Sequence, residues 1–489
     1  MKTLKNYING VWVDSRSRAY LDVVDPGSGE MLSRVPAGCA EDIHDAAAAA
    51  DAAQRAWRNV PPEQRIQHLF TMKRILEEHA DEIAALCTQE SGKTRAESKA
   101  EIVRAVENIE VACGIPMLMQ GEFSEDVAQG VDEFVIRQPL GVGACIAPFN
   151  FPVMISFWFF PYAVATGNAY IVKPSEKVPG TMTRIFELFE TAGLPKGVLN
   201  LVHGGKETVD AILTHDAIKA ISFVGSTKVA RYVYSKGTEH GKRVQAQGGA
   251  KNALVVMPDA DVETTTRIIA DSVYGCAGQR CLAASTIILV GGAKEVFRDR
   301  LVEAARKRTT CYGLDASAQM GAVITRESCT RIEAIIEDAG RKGATILVDG
   351  RAKAVPGHAK GNFIFPTVIE NVPPDADAAT TEIFGPVMNL MYVATLAEAI
   401  AVINGGRYGN AACLFTRNGS AARTFRHDAL AGNIGVNIGV PAPMAFFPFS
   451  GWKESFFGDL HGQAKHAVEF FTQTKVVVER WYDEWTRTF

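Results

Sequence analysis

The chain has 489 residues, of which 47% are hydrophobic and 22% are charged, and its formal net charge at pH 7 is −4. This length predicts two or three domains, and the composition is that of an ordinary globular protein. There is no basic stripe that would indicate a nucleic-acid partner, and no low-complexity tract. The nine cysteines include no CxxC pair and no histidine cluster at zinc-ligand spacing, so we expect reduced thiols and no metal.

The first ten residues have neither the apolar core of a signal peptide nor the character of a transit peptide, so we expect a cytoplasmic enzyme. An uncharged stretch, 140–172, is long enough to cross a bilayer of about 30 Å as a helix. Pro148, Pro152 and Pro161 interrupt this stretch. The prolines favour a buried strand, a loop and a buried helix in an α/β core over the membrane alternative.

Helical periodicity covers residues 41 to about 114, including the stretches 45–57 and 65–87. Strand-like runs then alternate with helix-like runs. The predicted strands are 144–146, 169–172, 198–202, 221–224 and 253–256, and the predicted helices lie near 181–191 and from Thr227 onward. This alternation predicts a mostly parallel sheet with helices on both faces.

A second alternating block begins near Asp259. Its predicted helices are a segment ending at Tyr274, then 294–308, 331–339, 396–403 and 420–427. Its predicted strands are 286–290, 345–348, 363–368, 387–393, 411–415 and 433–437. The fold class is therefore α/β, with two consecutive open, Rossmann-like domains.

The final stretch, 467–480, is rich in β-branched and aromatic residues, which predicts a strand. We expect it to pair with the polar, hairpin-like segment 121–138. The product would be a small β extension, and we expect this extension to serve contact between subunits.

The octapeptide Tyr274-Gly275-Cys276-Ala277-Gly278-Gln279-Arg280-Cys281 places a cysteine between a helix-like stretch and a new strand. Taken alone, Cys281 is better interpreted as a small buried hydrophobe. Four distant motifs change that interpretation and make Cys281 a candidate nucleophile beside a dinucleotide. They are Pro-Phe-Asn-Phe-Pro at 148–152, Lys-Pro-Ser-Glu at 173–176, Phe-Val-Gly-Ser-Thr at 223–227 and Glu-Ile-Phe-Gly-Pro at 382–386.

With these five motifs in this order, the chain resembles the aldehyde dehydrogenase superfamily over nearly its whole length. Within the superfamily it most resembles the CoA-acylating methylmalonate-semialdehyde dehydrogenases. The segments that carry the narrower resemblance are 147–152, 244–246, 249–252, 278–281 and 449–462. It implies oxidation of methylmalonate or malonate semialdehyde with NAD and coenzyme A, giving propanoyl-CoA or acetyl-CoA, carbon dioxide and NADH. The alternatives are a dehydrogenase of another acidic or aliphatic aldehyde, or a catalytically silent protein of this fold.

The resemblance also implies the domain organisation. Residues 1–120 and 141–247, with part of 447–466, would form an NAD-binding domain. Residues 248–446 would form a catalytic domain. Residues 121–140 and 467–489 would form an oligomerisation extension in a homodimer or homotetramer.

The resemblance implies that Cys281 attacks the aldehyde carbon and that the resulting thiohemiacetal releases hydride. The side-chain amide of Asn150, with the backbone N–H of the cysteine, would hold the oxyanion. The simpler interpretation of Asn150 is a turn residue between two prolines.

No GxGxxG motif follows a strand and opens a helix, and Gly141-Val142-Gly143 is only a weak match to the dinucleotide fingerprint. The resemblance instead implies an NAD site made of residues that follow several strands. They are Ala147, Phe149, Lys173, Glu176, Lys177, Gly225, Ser226, Gly248, Glu382 and Phe384. Glu176 would pair with ribose hydroxyls and repel a 2′-phosphate, which favours NAD over NADP. Alternatively, Lys173 and Glu176 are surface ions and Ser226 is a helix cap.

Gln247 stands where the hydrolytic members of the superfamily carry a glutamate that activates water, counted four places before Lys251. An amide cannot take the proton, so we expect the acyl group to pass to the thiol of coenzyme A. The alternative is that Gln247 is a packing or hydrogen-bonding residue and that the base lies elsewhere.

The substrate carboxylate would meet Arg104 and Arg280, because a guanidinium binds a carboxylate through two parallel hydrogen bonds. Arg104 lies on the helix-like stretch 96–113, and Arg280 directly precedes the nucleophile. In the simpler interpretation, Arg104 pairs with Glu101 or Glu107 on its own helix, and Arg280 makes a structural hydrogen bond.

Overall fold

The computed structural model describes residues 2–481. Its larger sheet has eight strands, of which the five consecutive strands from Arg243–Gln247 to Leu199–Leu201 run parallel. In spatial order the strands are Phe456–Phe457, Arg243–Gln247, Ile218–Val224, Val142–Ile146, Ala169–Lys173, Leu199–Leu201, Asn6–Ile8 and Val11–Val13. The parallel strands are buried along almost their whole length, as expected for a sheet covered on both faces. Their carboxyl ends share one edge of the sheet, so the loops that follow them come together there.

Helices pack on both faces of this sheet, as the alternation of strand-like and helix-like runs predicts. On one face lie Ala40–Trp57, Lys206–Thr214 and Thr227–Glu239. On the other lie Pro62–Glu78, Ala80–Ser91, Arg95–Ala112, Ile115–Leu118, Met154–Phe157, Phe160–Ala165, Pro179–Phe189 and Ala464–Phe471. The second face carries the larger apolar core, and the helix Arg95–Ala112 within it borders the candidate site.

The second large sheet has seven strands, and all neighbouring pairs are parallel except the one made by its edge strand Thr345–Val348. In spatial order they are Thr345–Val348, Thr367–Glu370, Val387–Val393, Ala284–Val290, Asn252–Val256, Ala411–Phe415 and Asn433–Val436. One face is covered by Val262–Tyr274, Ala293–Lys307, Arg326–Arg341 and Asp377–Thr380, and the other by Leu396–Gly405 and Gly419–Asp428. The predicted α/β fold with two consecutive sheets is confirmed.

A separate antiparallel sheet joins Thr472–Glu479 to Val131–Pro139, which also pairs with Phe123–Ala128. The predicted pairing of the terminal strand with the hairpin is therefore confirmed. The prediction that this strand begins at Ala467 is wrong, because Ala464–Phe471 is a helix. Its buried residues fall at helical spacing, and the β-branched run starts only at Thr472. Residues 482–489 of the predicted extension lie outside the described part of the chain.

Two short sheets complete the fold. One is made of Lys2–Thr3, Met31–Pro36 and Tyr20–Val24, and the other pairs Tyr408–Gly409 with Trp452–Lys453.

Three further element predictions need adjustment. The stretch 65–87 forms two helices that meet at His79 rather than one. The strand predicted at 363–368 begins only at Thr367, since Pro366 has no N–H to offer a sheet. The strand Asn252–Val256, which we placed with the first block, lies in the middle of the seven-stranded sheet.

The uncharged stretch 140–172 folds as the strand Val142–Ile146, two short helices and the strand Ala169–Lys173. Across residues 2–481, no helix has both the length and the apolar character needed to cross a membrane.

Candidate active site

The loop that carries Cys281 leaves the helix Val262–Tyr274 through a tight turn. Cys276, Ala277 and Gly278 have φ values of +51°, +52° and +72°. Only glycine fits the last of these positions, because a Cβ on Gly278 would lie 2.2 Å from the carbonyl oxygen of Gly385. The turn is also held from outside, since the backbone N–H of Cys276 donates to Glu97 Oε1 over 2.6 Å.

Cys281 is partly buried and lines a cavity of about 310 Å³. Its carbonyl oxygen accepts hydrogen bonds from the amide groups of Asn252 and Asn410, both at 2.7 Å. Burial, with the negative charge of Glu382 as a second cause, raises the pKa of the Cys281 thiol to about 12. The thiol is therefore protonated at neutral pH in the free protein, and a nearby positive charge is needed to ionise it.

Asn150 lies against the loop that carries Cys281. Its Nδ2 donates to the carbonyl oxygen of Gln279, two residues before Cys281, over 2.9 Å. Gln279 is itself buried, and its Oε1 accepts the N–H of Ile324 at 3.0 Å. The predicted oxyanion residue and the predicted nucleophile therefore stand on two loops in direct contact.

Three glutamates line the cavity, and the carboxylate of each already has a hydrogen-bond or ion-pair partner. Glu97 accepts from the backbone N–H groups of Cys276 and Thr94. Glu101 pairs with the ammonium group of Lys93. Glu107 pairs with Arg104 over 2.8 Å. None of these carboxylates is held ready to deprotonate a water molecule beside the thiol.

Both predicted substrate arginines line the same cavity, but they are bound differently. Arg104 Nη1 donates to Glu107 Oε2 on its own helix, and about a third of its side chain is exposed. Arg280 Nη2 donates to the carbonyl oxygens of Asp271 and Ser272, at 2.6 and 2.9 Å, near the end of the helix Val262–Tyr274. Arg280 therefore makes structural hydrogen bonds and Arg104 makes a pair within its helix, the contacts that the simpler interpretation expects.

The predicted cofactor residues gather at the carboxyl edge of the eight-stranded sheet. Lys173 ends its strand and pairs with Glu176 over 3.4 Å. Ala147 follows the neighbouring strand, and its N–H donates to the carbonyl oxygen of Lys173. The Lys173 side chain is buried whereas Glu176 is partly exposed, so a ligand at this edge can reach Glu176.

Three more predicted cofactor residues, two phenylalanines and a lysine, lie together beside this edge. The rings of Phe149 and Phe384 meet edge to face with centroids 5.9 Å apart. The ammonium group of Lys177 lies 5.5 Å from the centroid of Phe149. A cation over a ring is a favourable contact, and the group offers a flat apolar surface next to a positive charge.

The helix Thr227–Glu239 presents its N-terminus at the same edge. Its capping residue, Ser226, makes no side-chain cap hydrogen bond. The preceding Gly225 donates its N–H to Gln247, and Gly248 donates to Ser455. Free N–H groups at a helix N-terminus suit a pyrophosphate, so the residues present fit a dinucleotide.

Glu382 connects the edge to the thiol. Its Oε1 accepts the N–H of Ala250 at 3.0 Å, and burial raises the pKa of this carboxyl to about 7. Lys251, whose Nζ donates to the carbonyl oxygen of Ala378, also has a pKa of about 7 because burial lowers it. Burial therefore favours the neutral form of both groups, and the nearby Arg331 acts in the opposite direction on the pKa of Glu382.

Gln247 is buried at the end of its strand. Its Nε2 donates to the carbonyl oxygen of Phe449, a residue that lines the cavity, over 3.2 Å. Its Oε1 has no hydrogen-bond partner in the described chain. Gln247 is thus a hydrogen-bonding residue next to the cavity rather than within its lining.

The sequence motifs did not identify Lys93, Glu97 or Glu101 as residues of the site. A capping signature, Thr94 followed three places later by Glu97, does predict a helix start there, and the structure has that capping box. The sequence contains no signal that the same glutamate binds the turn of Cys276.

The chain is similar to known proteins over nearly its whole length. A model described as the Aldehyde dehydrogenase family matches residues 12–477. Malonate-semialdehyde dehydrogenase 1 of Geobacillus thermodenitrificans is 46% identical over 481 residues, which cover 98% of this chain and 99% of that protein. The malonate-semialdehyde dehydrogenase of Lacticaseibacillus casei is 44% identical, with 99% of this chain and 98% of that protein covered.

Among solved structures, the methylmalonate-semialdehyde dehydrogenase of Oceanimonas doudoroffii superposes with a TM-score of 0.98 at 42% identity, covering 100% of both chains. A Sinorhizobium meliloti structure, assigned to methylmalonate-semialdehyde dehydrogenase and complexed with NAD, gives a TM-score of 0.97 at 40% identity and covers 99% of each chain.

Proposed function

Because the chain belongs to the aldehyde dehydrogenase family, we propose that it oxidises malonate or methylmalonate semialdehyde with NAD and transfers the acyl group to coenzyme A. The observation that carries the proposal is the combination of a thiol cavity containing two arginines with the absence of a free carboxylate among its lining residues. The printed names of the relatives, malonate-semialdehyde and methylmalonate-semialdehyde dehydrogenases, support the substrate class.

The first half-reaction uses Cys281 and Asn150. The Cys281 thiolate forms a C–S bond to the aldehyde carbon, and the carbonyl oxygen becomes an oxyanion that the Asn150 amide stabilises. NAD, when bound, accepts the hydride that this carbon releases, which leaves a thioester on Cys281. The contacts at the sheet edge, from Lys173 and Glu176 to the helix that follows Ser226, would orient the dinucleotide toward the thiol.

The arginines of the cavity give the substrate carboxylate a counter-charge. Arg104 can exchange its partner Glu107 for the substrate because both side chains are partly exposed. Arg280 keeps its helix contacts and adds positive charge at the cavity wall. After oxidation, the carboxylate lies β to a thioester carbonyl. The bond to it can then break, with the electron pair held as a thioester enolate that is protonated after carbon dioxide leaves.

The second half-reaction depends on which nucleophile attacks the thioester and releases the acyl group from Cys281. Water needs a general base, which typically contributes about 10²–10⁴-fold. Gln247 cannot serve, and Glu97, Glu101 and Glu107 are engaged. A thiol ionises more readily than water and is the stronger nucleophile, which favours coenzyme A as the acceptor.

A single kinetic comparison tests this proposal. With NAD and semialdehyde but no coenzyme A, we expect one burst of NADH per active site followed by slow turnover. Addition of coenzyme A should restore fast steady-state turnover, and mass spectrometry of the stalled enzyme should show the acyl group on Cys281. Equal turnover with and without coenzyme A would contradict the thiolysis, while the absence of any burst would support a catalytically silent protein.

We also propose that residues 1–120 and 141–247, with part of 447–466, bind NAD and that residues 248–446 carry the catalytic cysteine. Residues 121–140 and 467–489 would hold subunits together as a dimer or tetramer. Exposed apolar side chains on this antiparallel sheet support the last point: Phe123, Val476 and Val478 are 63%, 61% and 60% exposed. Replacing both valines with lysine should lower the mass measured by analytical ultracentrifugation, and an unchanged mass would contradict the assignment.

The expected cytoplasmic location remains part of the proposal. All nine cysteines are free, which suits a reducing compartment.

A further inference from the structure

A buried ion pair lies behind the loop that carries Asn150. It is formed by Lys93 and Glu101, whose side chains are only 2% and 0% exposed. Removing two charges from water is costly, and a buried pair is tolerated only when further hydrogen bonds satisfy its remaining atoms. The partners of those atoms therefore show what the pair does.

Lys93 and Glu101 hold opposite ends of one short segment. Lys93 Nζ donates to the backbone carbonyl oxygen of Asn150 over 2.9 Å and lies 4.8 Å from the ring centroid of Phe151. Glu101 Oε1 accepts the backbone N–H groups of Val153 and Met154, at 2.8 and 2.9 Å. The ion pair thus clamps residues 150–154 at both ends.

The clamp binds only backbone groups of this segment, so it does not engage the side-chain amide of Asn150. That side chain donates through Nδ2 to Gln279 on the nucleophile loop, and an amide nitrogen carries a second hydrogen. Stabilising an oxyanion requires the donor to be held before the reaction begins. A displacement of about 1 Å in such a group can cost on the order of 10²-fold in rate.

We propose that the Lys93–Glu101 pair is a positioning device for Asn150, which fixes the loop 150–154 so that the Asn150 amide meets the oxyanion formed at Cys281. The inference rests on the proposed oxyanion role of Asn150. Lys93 and Glu101 are positioning residues, since their hydrogen bonds to the site go to the backbone of this loop.

A double-mutant cycle tests the clamp, with the single-turnover burst of NADH as the readout. The four proteins are the wild type, Lys93→Met/Glu101→Met, Asn150→Ala and the triple variant. Replacing both charges avoids leaving one buried ion without a partner. We expect the clamp variant to lose on the order of 10²-fold, since Asn150 is then misplaced. The triple variant should be no slower than Asn150→Ala alone, because the clamp has nothing left to position.

The outcomes separate the two claims. If Asn150→Ala keeps the wild-type burst rate, the proposed oxyanion role fails and the clamp fails with it. If Asn150→Ala is slow but the clamp variant is fast, or if the triple variant loses a further tenfold, only the positioning role is overturned.

A partial restoration sharpens the test. Lys93→Met/Glu101→Gln keeps an oxygen that can accept from Val153 and Met154, so about tenfold of the lost rate should return. A rate equal to that of the double methionine variant would contradict the clamp.

Two controls distinguish positioning from general destabilisation. Arg298→Met/Glu370→Gln removes a bidentate ion pair between the helix Ala293–Lys307 and the strand Thr367–Glu370, where Arg298 donates to Glu370 over 2.8 and 2.7 Å. We expect it to lower the melting temperature but not the burst rate. Alkylation of Cys281 by iodoacetamide needs no oxyanion donor, so the clamp variants should keep the wild-type alkylation rate within about twofold. A parallel fall in alkylation would overturn the proposal.

Discussion

The carboxyl edge of the eight-stranded sheet and the cavity around Cys281 are built in opposite ways. At the edge, the predicted cofactor residues are spread over the ends of several strands, from backbone groups at Gly225 and Gly248 to the side chains of Lys173 and Glu176. In the cavity, charged side chains of the helix Arg95–Ala112 meet Arg280 of the loop that carries Cys281, and each has its own partner. Binding spread over many backbone contacts tolerates the loss of one, whereas chemistry that depends on single side chains does not. Substitutions in the cavity should therefore have the larger effects.

The largest effect should come from removing the nucleophile. Cys281→Ser should reduce NADH formation by at least about 10⁴-fold, as loss of a covalent catalyst does in other enzymes. Cys276 lines the same cavity, but its hydrogen bonds to Glu97 and Gln279 are made by its backbone. Cys276→Ser should still form the acyl-enzyme, as measured by the NADH burst. Loss of the burst in both variants would show that the two thiols are not distinguished as the structure indicates.

The alkylation rate of Cys281, measured with and without NAD, tests whether a ligand bound at the edge changes the ionisation of the thiol in the cavity. Because the pKa of the thiol is raised to about 12, its thiolate is the minor form throughout pH 6–9. Without NAD, the alkylation rate should rise about tenfold per pH unit, on the order of 10³-fold over this range. Bound NAD should accelerate alkylation at pH 7, and Cys281→Ser supplies the background of the other thiols. A plateau below pH 8 in the free enzyme would contradict the raised pKa.

Asn150 should give the next largest effect. Asn150→Ala should slow the acylation burst by about 10²–10³-fold, because an oxyanion donor is lost. Asn252→Ala is a matched amide change, and its bond to the Cys281 carbonyl oxygen shapes the loop instead. It should reduce stability more than the burst rate, as measured by thermal unfolding. If both variants affect the burst equally, the role of Asn150 is structural.

Gln247→Glu should allow the enzyme to hydrolyse its acyl group with water. A carboxylate at this position can act as a base for water, so turnover without coenzyme A should rise by about 10²-fold. Gln247→Met lacks both the base and the hydrogen bond to Phe449, and it should leave this hydrolytic turnover low. The comparison is made by following NADH at saturating NAD and semialdehyde. A glutamate variant that stays as slow as the methionine variant would show that water activation needs a different position.

The two arginines should give the smallest and most specific effects. Arg104→Leu should raise KM for the semialdehyde about 10- to 100-fold, the value of a lost charged hydrogen bond, with little change for propanal. Arg280→Leu should show the same difference but also lower the melting temperature, because it loses the carbonyls of Asp271 and Ser272. Equal changes in KM for the semialdehyde and for propanal would contradict the proposal that these arginines bind the substrate carboxylate.

The edge was more predictable from sequence than the cavity. The strands predicted at 169–172 and 221–224 lie within the observed strands Ala169–Lys173 and Ile218–Val224, because apolar, β-branched runs of strand length rarely form other structures. Once these strands are parallel, the residues that follow them must meet at one edge, as Lys173 and Glu176 do with Ala147.

The errors have local physical causes. Residues 467–471 contain aromatic side chains that suit a strand, yet their buried positions have helical spacing against the core. The stretch 65–87 is helical throughout in character, and only the backbone at His79 divides it. Periodicity identifies the type of element well but leaves the boundaries to packing.

The sequence by itself determined the α/β fold, the motif around Cys281 and the amide at Gln247 from which thiolysis is proposed, because these depend on residue type and order along the chain. Only the tertiary structure decided how charges in the cavity are matched. Glu97 to Cys276, Lys93 to Asn150 and Arg280 to the end of its helix are contacts between atoms. Such contacts arise when distant segments pack together, and residue order does not encode which buried donor meets which acceptor.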